Sequence, residues 1–154
     1  MAEQKTDEYY MEQALVQAKL AYEKDEVPIG CVIVKDDKVI AKSHNLREST
    51  NDPCGHAEIL AIRKASKKLN SWRLENCDIY ITVEPCIMCM GAIIQSRIET
   101  VIYGTEDYKG GALGSSINVL DAKGINHHPN VISGVMKKEC SEILTNYFKT
   151  KRNK

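Results

Sequence analysis

The chain has 154 residues, 43% hydrophobic and 27% charged, which suits a folded protein with a real core and excludes a disordered or fibrous one. Its 21 basic and 21 acidic residues cancel, so the bulk charge is no footprint of a generic nucleic-acid binder. No apolar run is long enough to span a membrane, and the polar stretch from Met1 to Asp7 lacks a signal-peptide core, so a cytoplasmic protein with no membrane partner is expected, organised as one domain over residues 1–154.

Met11, Ala14, Leu15, Ala18, Ala21 and Tyr22 recur at spacings of three and four, predicting an amphipathic helix over about 7–24 with Asp7 as N-cap. Residues 29–35 read as a buried strand, Asp36-Asp37 as a turn, and 38–44 as the returning strand. A turn-rich loop at 45–55 follows, then a helix over 56–69 with Ile59, Leu60, Ile62, Ala65 and Leu69 on its apolar face. Residues 78–83 form a short strand, 86–97 an unusually apolar helix, 100–103 another strand, and 104–116 a glycine-bearing loop. A last helix spans about 137–151, with Ile143, Leu144, Tyr147 and Phe148 on its apolar side. A hairpin followed by alternating strands and helices predicts a mixed sheet sandwiched by helices, an α/β fold in three layers.

Two short motifs sit at strand-to-helix junctions: His56-Ala57-Glu58 and Pro85-Cys86-Ile87-Met88-Cys89. Separately they are ordinary, since Cys-x-x-Cys also serves redox pairs and structural zinc knuckles, and His-x-Glu arises by chance. Together they supply one imidazole, two thiolates and a carboxylate that need not bind metal. Three protein ligands with an open fourth position are the mark of catalytic zinc. The joint pattern matches the recognised signature of zinc deaminases. In this reading His56, Cys86 and Cys89 hold one zinc ion and Glu58 moves protons. Pro85 suits the first turn of the helix, because it has no N–H to lose there.

Cys31, Cys77 and Cys140 read as buried free thiols, while Cys54 lies two residues before His56 and close to the expected metal. Two basic clusters stand out, at Arg63, Lys64, Lys67 and Lys68 and at Lys149, Lys151, Arg152 and Lys154; from composition alone each reads as a solvated helix face. The helix at 86–97 is apolar on more than one face, which calls for burial on several sides.

Beyond the zinc signature, the chain carries Glu26-Val27-Pro28-Ile29-Gly30, His44-Asn45, Ser71-Trp72-Arg73-Leu74, Ser96-Arg97-Ile98, Tyr103-Gly104 with Asp107, Gly114-Ser115 and Asn126-His127. With these it resembles, over nearly its whole length, the bacterial tRNA-specific adenosine deaminases of the cytidine-deaminase superfamily. The resemblance implies a cytidine-deaminase-like fold and conversion of adenosine to inosine at the wobble position of a tRNA anticodon stem-loop, by a homodimer. It makes Asn45 a contact to the extruded adenosine, places Asp107 in the loop flanking the nucleotide, and lines the base pocket with Val27 and Pro28. The basic end of the chain, about 146–154, resembles the family's C-terminal helix, so Lys149, Lys151 and Arg152 are expected on RNA. Two positions depart from the pattern: Cys54-Gly55 replaces the usual Thr-Ala, loosening the backbone, and His128 stands where arginine is common. Cys54 is expected to be a small-residue substitution and not a fourth ligand, because four ligands would close the site. A deaminase of a free base such as guanine or cytosine is the alternative; it would not need the basic tail or the Trp72-Arg73-Leu74 segment. A non-enzymatic zinc or RNA-binding module is a third reading, which Glu58 opposes.

Overall fold

The computed structural model describes residues 5–152, so the expectations for the polar N-terminus up to Gln4 and for Lys154 lie outside the described residues. Helix α1 (Asp7–Glu23) begins one residue earlier than the sequence suggests: Thr6 is the N-cap, its hydroxyl accepting from Tyr9 N–H at 3.2 Å, and Asp7 lies in the first turn. Strands β1 (Gly30–Lys35) and β2 (Lys38–His44) form the hairpin. Asp36 and Asp37 both adopt positive φ, 51° and 60°, the twist a two-residue hairpin needs. The 45–55 loop contains a one-turn helix, α2 (Arg47–Thr50). Next come α3 (Ala57–Leu69), β3 (Cys77–Val83), α4 (Ile87–Ser96), β4 (Thr100–Thr105), a 3-10 turn at Val119–Asp121, β5 (Asn130–Ile132) and α5 (Lys137–Arg152).

The sheet order is β2-β1-β3-β4-β5. β1 is antiparallel to both neighbours, whereas β3, β4 and β5 run parallel, so the sheet is mixed as expected. Alternation divides the core in two. Cys31, Ile33, Ile79, Ile81 and Val101 face α3 and α4, while Val32, Val34, Tyr80 and Ile102 face α1 and α5. The layers are therefore helix, sheet, helix. Contact is closest where α1 crosses β1. A Cβ on Gly30 would overlap the carbonyl of Ala14 and come within 2.5 Å of the Ala18 nitrogen, so only glycine lets the helix lie there.

Three features depart from the sequence reading. β4 runs two residues further than 100–103, because Thr105 is still paired with Val83. β5 and the 3-10 turn were not expected; β5 has three residues, all exposed, and so offers no buried alternation. Pro85 sits before the N-cap Cys86 and not inside the first turn, and its carbonyl accepts from Ala112 N–H at 2.9 Å.

Candidate functional site

Two antiparallel steps separate β2 from β3, so these strands point the same way. Each leads into a helix on the same face of the sheet, so α3 and α4 start at the same edge. His56 is the N-cap of α3 and Cys86 that of α4, both in extended backbone, and neither side chain caps its own helix. Both are turned toward each other. His56 Nδ1 lies 3.6 Å from Cys86 Sγ and 3.5 Å from Cys89 Sγ, and the three ligand atoms fall within 4.8 Å of one another. A tetrahedral ion with metal–sulfur and metal–nitrogen bonds of about 2.3 and 2.0 Å puts its ligand atoms about 3.5 Å apart. The spacing fits such an ion without rearrangement.

The two thiols differ. Cys89's thiol donates to Cys86, and this, with His56 close by, holds Cys86 down at about 4. The same hydrogen bond and burial push Cys89 up. A cation bound there would favour two thiolates by displacing the shared proton. Glu58, in the first turn of α3, is only 4% exposed, and burial raises its carboxyl above the ordinary range. A carboxyl shifted in that direction is suited to holding and passing on a proton. Cys54 is half-buried, and its N–H donates to Asp52 Oδ1 at 2.9 Å; its thiol is not among the converging ligand atoms. Gly55 is tightly packed and not loose: a Cβ there would sit 3.1 Å from the Asp52 carbonyl oxygen.

His56, Glu58 and Cys86 open onto a cleft of about 180 Å³, whose walls include Val27, Asn45, Arg47 and Asp107. This is smaller than the roughly 300–1,000 Å³ of sites for drug-sized ligands, and suits one heterocyclic base. Pro28 is buried but is not on the cleft wall. Asn45 is fixed: its Nδ2 donates to the Val27 carbonyl at 3.3 Å and its Oδ1 accepts from Arg47 N–H at 3.1 Å. The tail residues are elsewhere. Lys149 is exposed on α5, while Lys151 and Arg152 line a second groove of about 600 Å³ together with Glu106, Lys109 and Phe148. Lys151 pairs with Asp25 at 2.5 Å, so part of its charge is used to dock α5.

Sequence reasoning missed two buried carboxylates. Glu26 accepts from the N–H groups of Glu48 (3.0 Å) and Ser49 (2.6 Å) and from the Ser49 hydroxyl, pinning α2 and the Arg47 wall. Glu84 does the same for the loop that carries Asp107. A lone acidic residue at the end of an apolar strand was the available signal for Glu84, whereas Glu26 is hidden in the charged run Glu23-Lys24-Asp25-Glu26; the partners of both are backbone N–H groups and a serine hydroxyl far along the chain.

The fold and this cluster define the deaminase class. Residues 5–152 match the family described as MafB19-like deaminase. The chain is 47% identical to a tRNA-specific adenosine deaminase of Bacillus subtilis (strain 168), across 96% of this chain and 92% of that one. It is 46% identical to the corresponding protein of Aquifex aeolicus (strain VF5), across 95% and 96%. A solved structure from work on A-to-I editing by tRNA:A34 deaminases superimposes with a TM-score of 0.86 at 46% identity, covering 88% of this chain and 99% of that one. The guanine deaminase of Bacillus subtilis is more distant, with a TM-score of 0.65 and 30% identity across 97% and 96%. The chain belongs to the tRNA-specific adenosine deaminases and is a deaminating enzyme.

Glu26 yields a pH prediction. Burial alone would raise its carboxyl, but the bonds from Ser49 and Glu48 outweigh it and the net shift is downward. A carboxylate with a depressed folded pKa contributes stability above its unfolded pKa and loses it as pH falls through the folded one. Glu26→Gln should therefore cost about 1–3 kcal/mol near pH 7, the usual penalty for unpaired buried donors. Urea unfolding at descending pH should show the gap to the wild type closing below the ordinary carboxyl value of 4.5. A gap independent of pH would contradict the account.

Proposed function

We propose that the protein is a zinc-dependent hydrolytic deaminase that converts adenosine to inosine at the wobble position of a tRNA anticodon, acting as a cytoplasmic homodimer. The observation that carries this reading is the convergence of His56 Nδ1 and two cysteine sulfurs beside a buried Glu58, in a cleft the size of one base. The tRNA specificity of its relatives supplies the RNA.

His56, Cys86 and Cys89 would hold the zinc. When bound, zinc supplies the Lewis acidity that makes a nucleophile of water at neutral pH. Glu58 would take a proton from water as the water oxygen bonds to C6 of adenine and pass it to the ring nitrogen; it would then take the second proton from the new C6 hydroxyl and give it to the amine as the C6–N bond breaks, so that water and adenosine become inosine and ammonia. Val27 gives the base an apolar wall, Asn45 offers a held amide to the nucleoside, and Asp107 flanks it. The base must leave its stack to enter, which costs least in an unpaired anticodon loop. The free-base alternative draws on the guanine deaminase likeness, but at 30% identity against 47% for a tRNA-specific relative it is the weaker reading. Incubation with an anticodon stem-loop, free adenosine, guanine and cytosine separates the two; inosine in the RNA alone is expected.

Two variants test the site. Cys86→Ser should lose bound zinc while keeping α4, because serine is a good N-cap. Glu58→Ala should keep zinc and lose activity by about 10²-fold or more, the scale of general acid–base catalysis. Unchanged zinc in the first, or near-normal turnover in the second, removes that residue from its role.

The homodimer reading rests on α4. Ile87 is 59% exposed beside the metal ligand Cys86, and Met88, Gly91 and Ala92 are only half-buried, so an apolar strip faces outward. Light scattering at micromolar concentration should give twice the chain mass, and Ile87→Glu should shift it toward the monomer.

The tail reading is narrower than the sequence suggested. Because Lys151 is paired with Asp25, Lys149 and Arg152 should carry most of the phosphate contact. The double variant Lys149→Ala, Arg152→Ala should raise KM for the stem-loop with little loss of kcat, and flatten the fall in affinity with salt. An unchanged KM and salt slope would return both residues to a solvated helix end.

A further inference from the structure

We propose that Glu84, on the wall of the cleft, is its positioning residue: it anchors the 106–116 loop to the metal-ligand segment, so that nucleotide acceptance depends on a carboxylate whose two oxygens are both taken up by that loop. This rests on the functional reading above. Glu84 follows β3 directly, is 3% exposed, and forms no ion pair among the described residues. An unpaired carboxylate is costly to bury unless hydrogen bonds satisfy it. Here the loop provides them from both of its ends. Oε1 accepts from Asp107 N–H at 3.2 Å and from the Ser115 hydroxyl; Oε2 accepts from Leu113 N–H at 2.8 Å and Ser115 N–H at 3.2 Å.

Two further contacts fix the loop to the same place. Ala112 N–H donates to the Pro85 carbonyl at 2.9 Å, one residue before Cys86, and Glu84 N–H donates to the Thr105 carbonyl at 2.8 Å. The loop and the end of β4 are thus registered against the two residues, Glu84 and Pro85, that lead into the N-cap of α4. Gly111 shows how close the approach is: a Cβ there would overlap the Glu84 carboxyl and meet the Asp107 carbonyl at 2.5 Å. An apolar side chain at 84 would satisfy the core at less cost in desolvation, but could not gather three backbone N–H groups from two parts of a loop. What the carboxylate provides is a defined position for Asp107, whose own Oδ1 accepts from Lys109 N–H (3.1 Å) and Gly110 N–H (3.2 Å), shaping the turn at the cleft mouth.

The test uses the zinc-loaded enzyme and three variants: Glu84→Gln, Ser115→Ala and the pair. Glu84→Gln keeps the shape but turns an acceptor into a donor against the loop's N–H groups. It should raise KM for the anticodon stem-loop about tenfold with a smaller change in kcat, the scale of losing a buried acceptor. Amide exchange should accelerate at 107, 113 and 115, and zinc content should not change. Ser115→Ala should move all of these in the same direction by less, and the pair should be less than additive. A fall in kcat and thermal stability with KM and exchange unchanged would reduce Glu84 to a core residue and overturn the proposal. If Glu84→Gln fails to fold, Ser115→Ala decides alone by the same two readouts. Should the wild-type enzyme not deaminate the stem-loop, the functional reading fails, while exchange at the three amides still decides whether the loop is anchored.

Discussion

Two helices that begin at one edge of the sheet bring together the ligand-type side chains on which the rest of the site depends. β2 and β3 run the same way because β1 lies antiparallel to both, and α3 and α4 cover the same face. The N-caps of these helices must then meet at one edge of the sheet, the edge where open α/β sheets commonly bind ligands. The partial positive charge of each helix start also favours thiolate and carboxylate there. Hence His56 and two cysteines 30 and 33 residues further on bring their ligand atoms within 4.8 Å of one another, with Glu58 on the same cleft.

That arrangement is unfavourable to the helices themselves. Thr6 shows the ordinary solution at α1, with its hydroxyl accepting from a first-turn N–H. His56 and Cys86 occupy the same position in α3 and α4 but spend their side chains on each other. A missing cap costs a helix about 1 kcal/mol, and a preorganised site often carries such a cost. The backbone groups flanking the cleft are held by other means. Glu26 and Glu84, both buried, gather the N–H groups of α2 and of the 106–116 loop, so the two walls are fixed by carboxylates that belong to neither helix.

Local structure was legible wherever its cause lay within a few consecutive residues. The Asp36-Asp37 turn and the 38–44 strand are each contained in a few consecutive residues, and the structure places them as expected; His56 and Cys86 stand at the starts of two helices, with Pro85 one position outside. What could not be read depends on partners distant along the chain. Glu26 meets residues 22 and 23 positions away, and Glu84 meets residues 23 to 31 away. β5 exists only because β4 offers it an edge, since its three exposed residues carry no alternation of their own. The docking of Lys151 on Asp25 was equally hidden, because a cluster of basic residues looks the same whether its charges are spent or not.

A chain with no net charge that acts on RNA, as proposed, must concentrate its positive potential. The structure offers two spaces of unequal size: a cleft of about 180 Å³ over Glu58 and His56, and a groove of about 600 Å³ beside α5 edged by Lys109, Lys151 and Arg152. They lie on either side of one short segment, since Asp107 lines the cleft while Glu106 and Lys109 line the groove. In the proposed reaction, a single extruded base fills the first and the backbone lies along the second. Affinity and chemistry would then be divided between the two, with phosphate contacts setting salt dependence and the cleft setting which base reacts. The 106–116 loop is the boundary between them. A movement of that loop would change both spaces together, which is what gives the Glu84 carboxylate that holds it its proposed part in accepting the nucleotide.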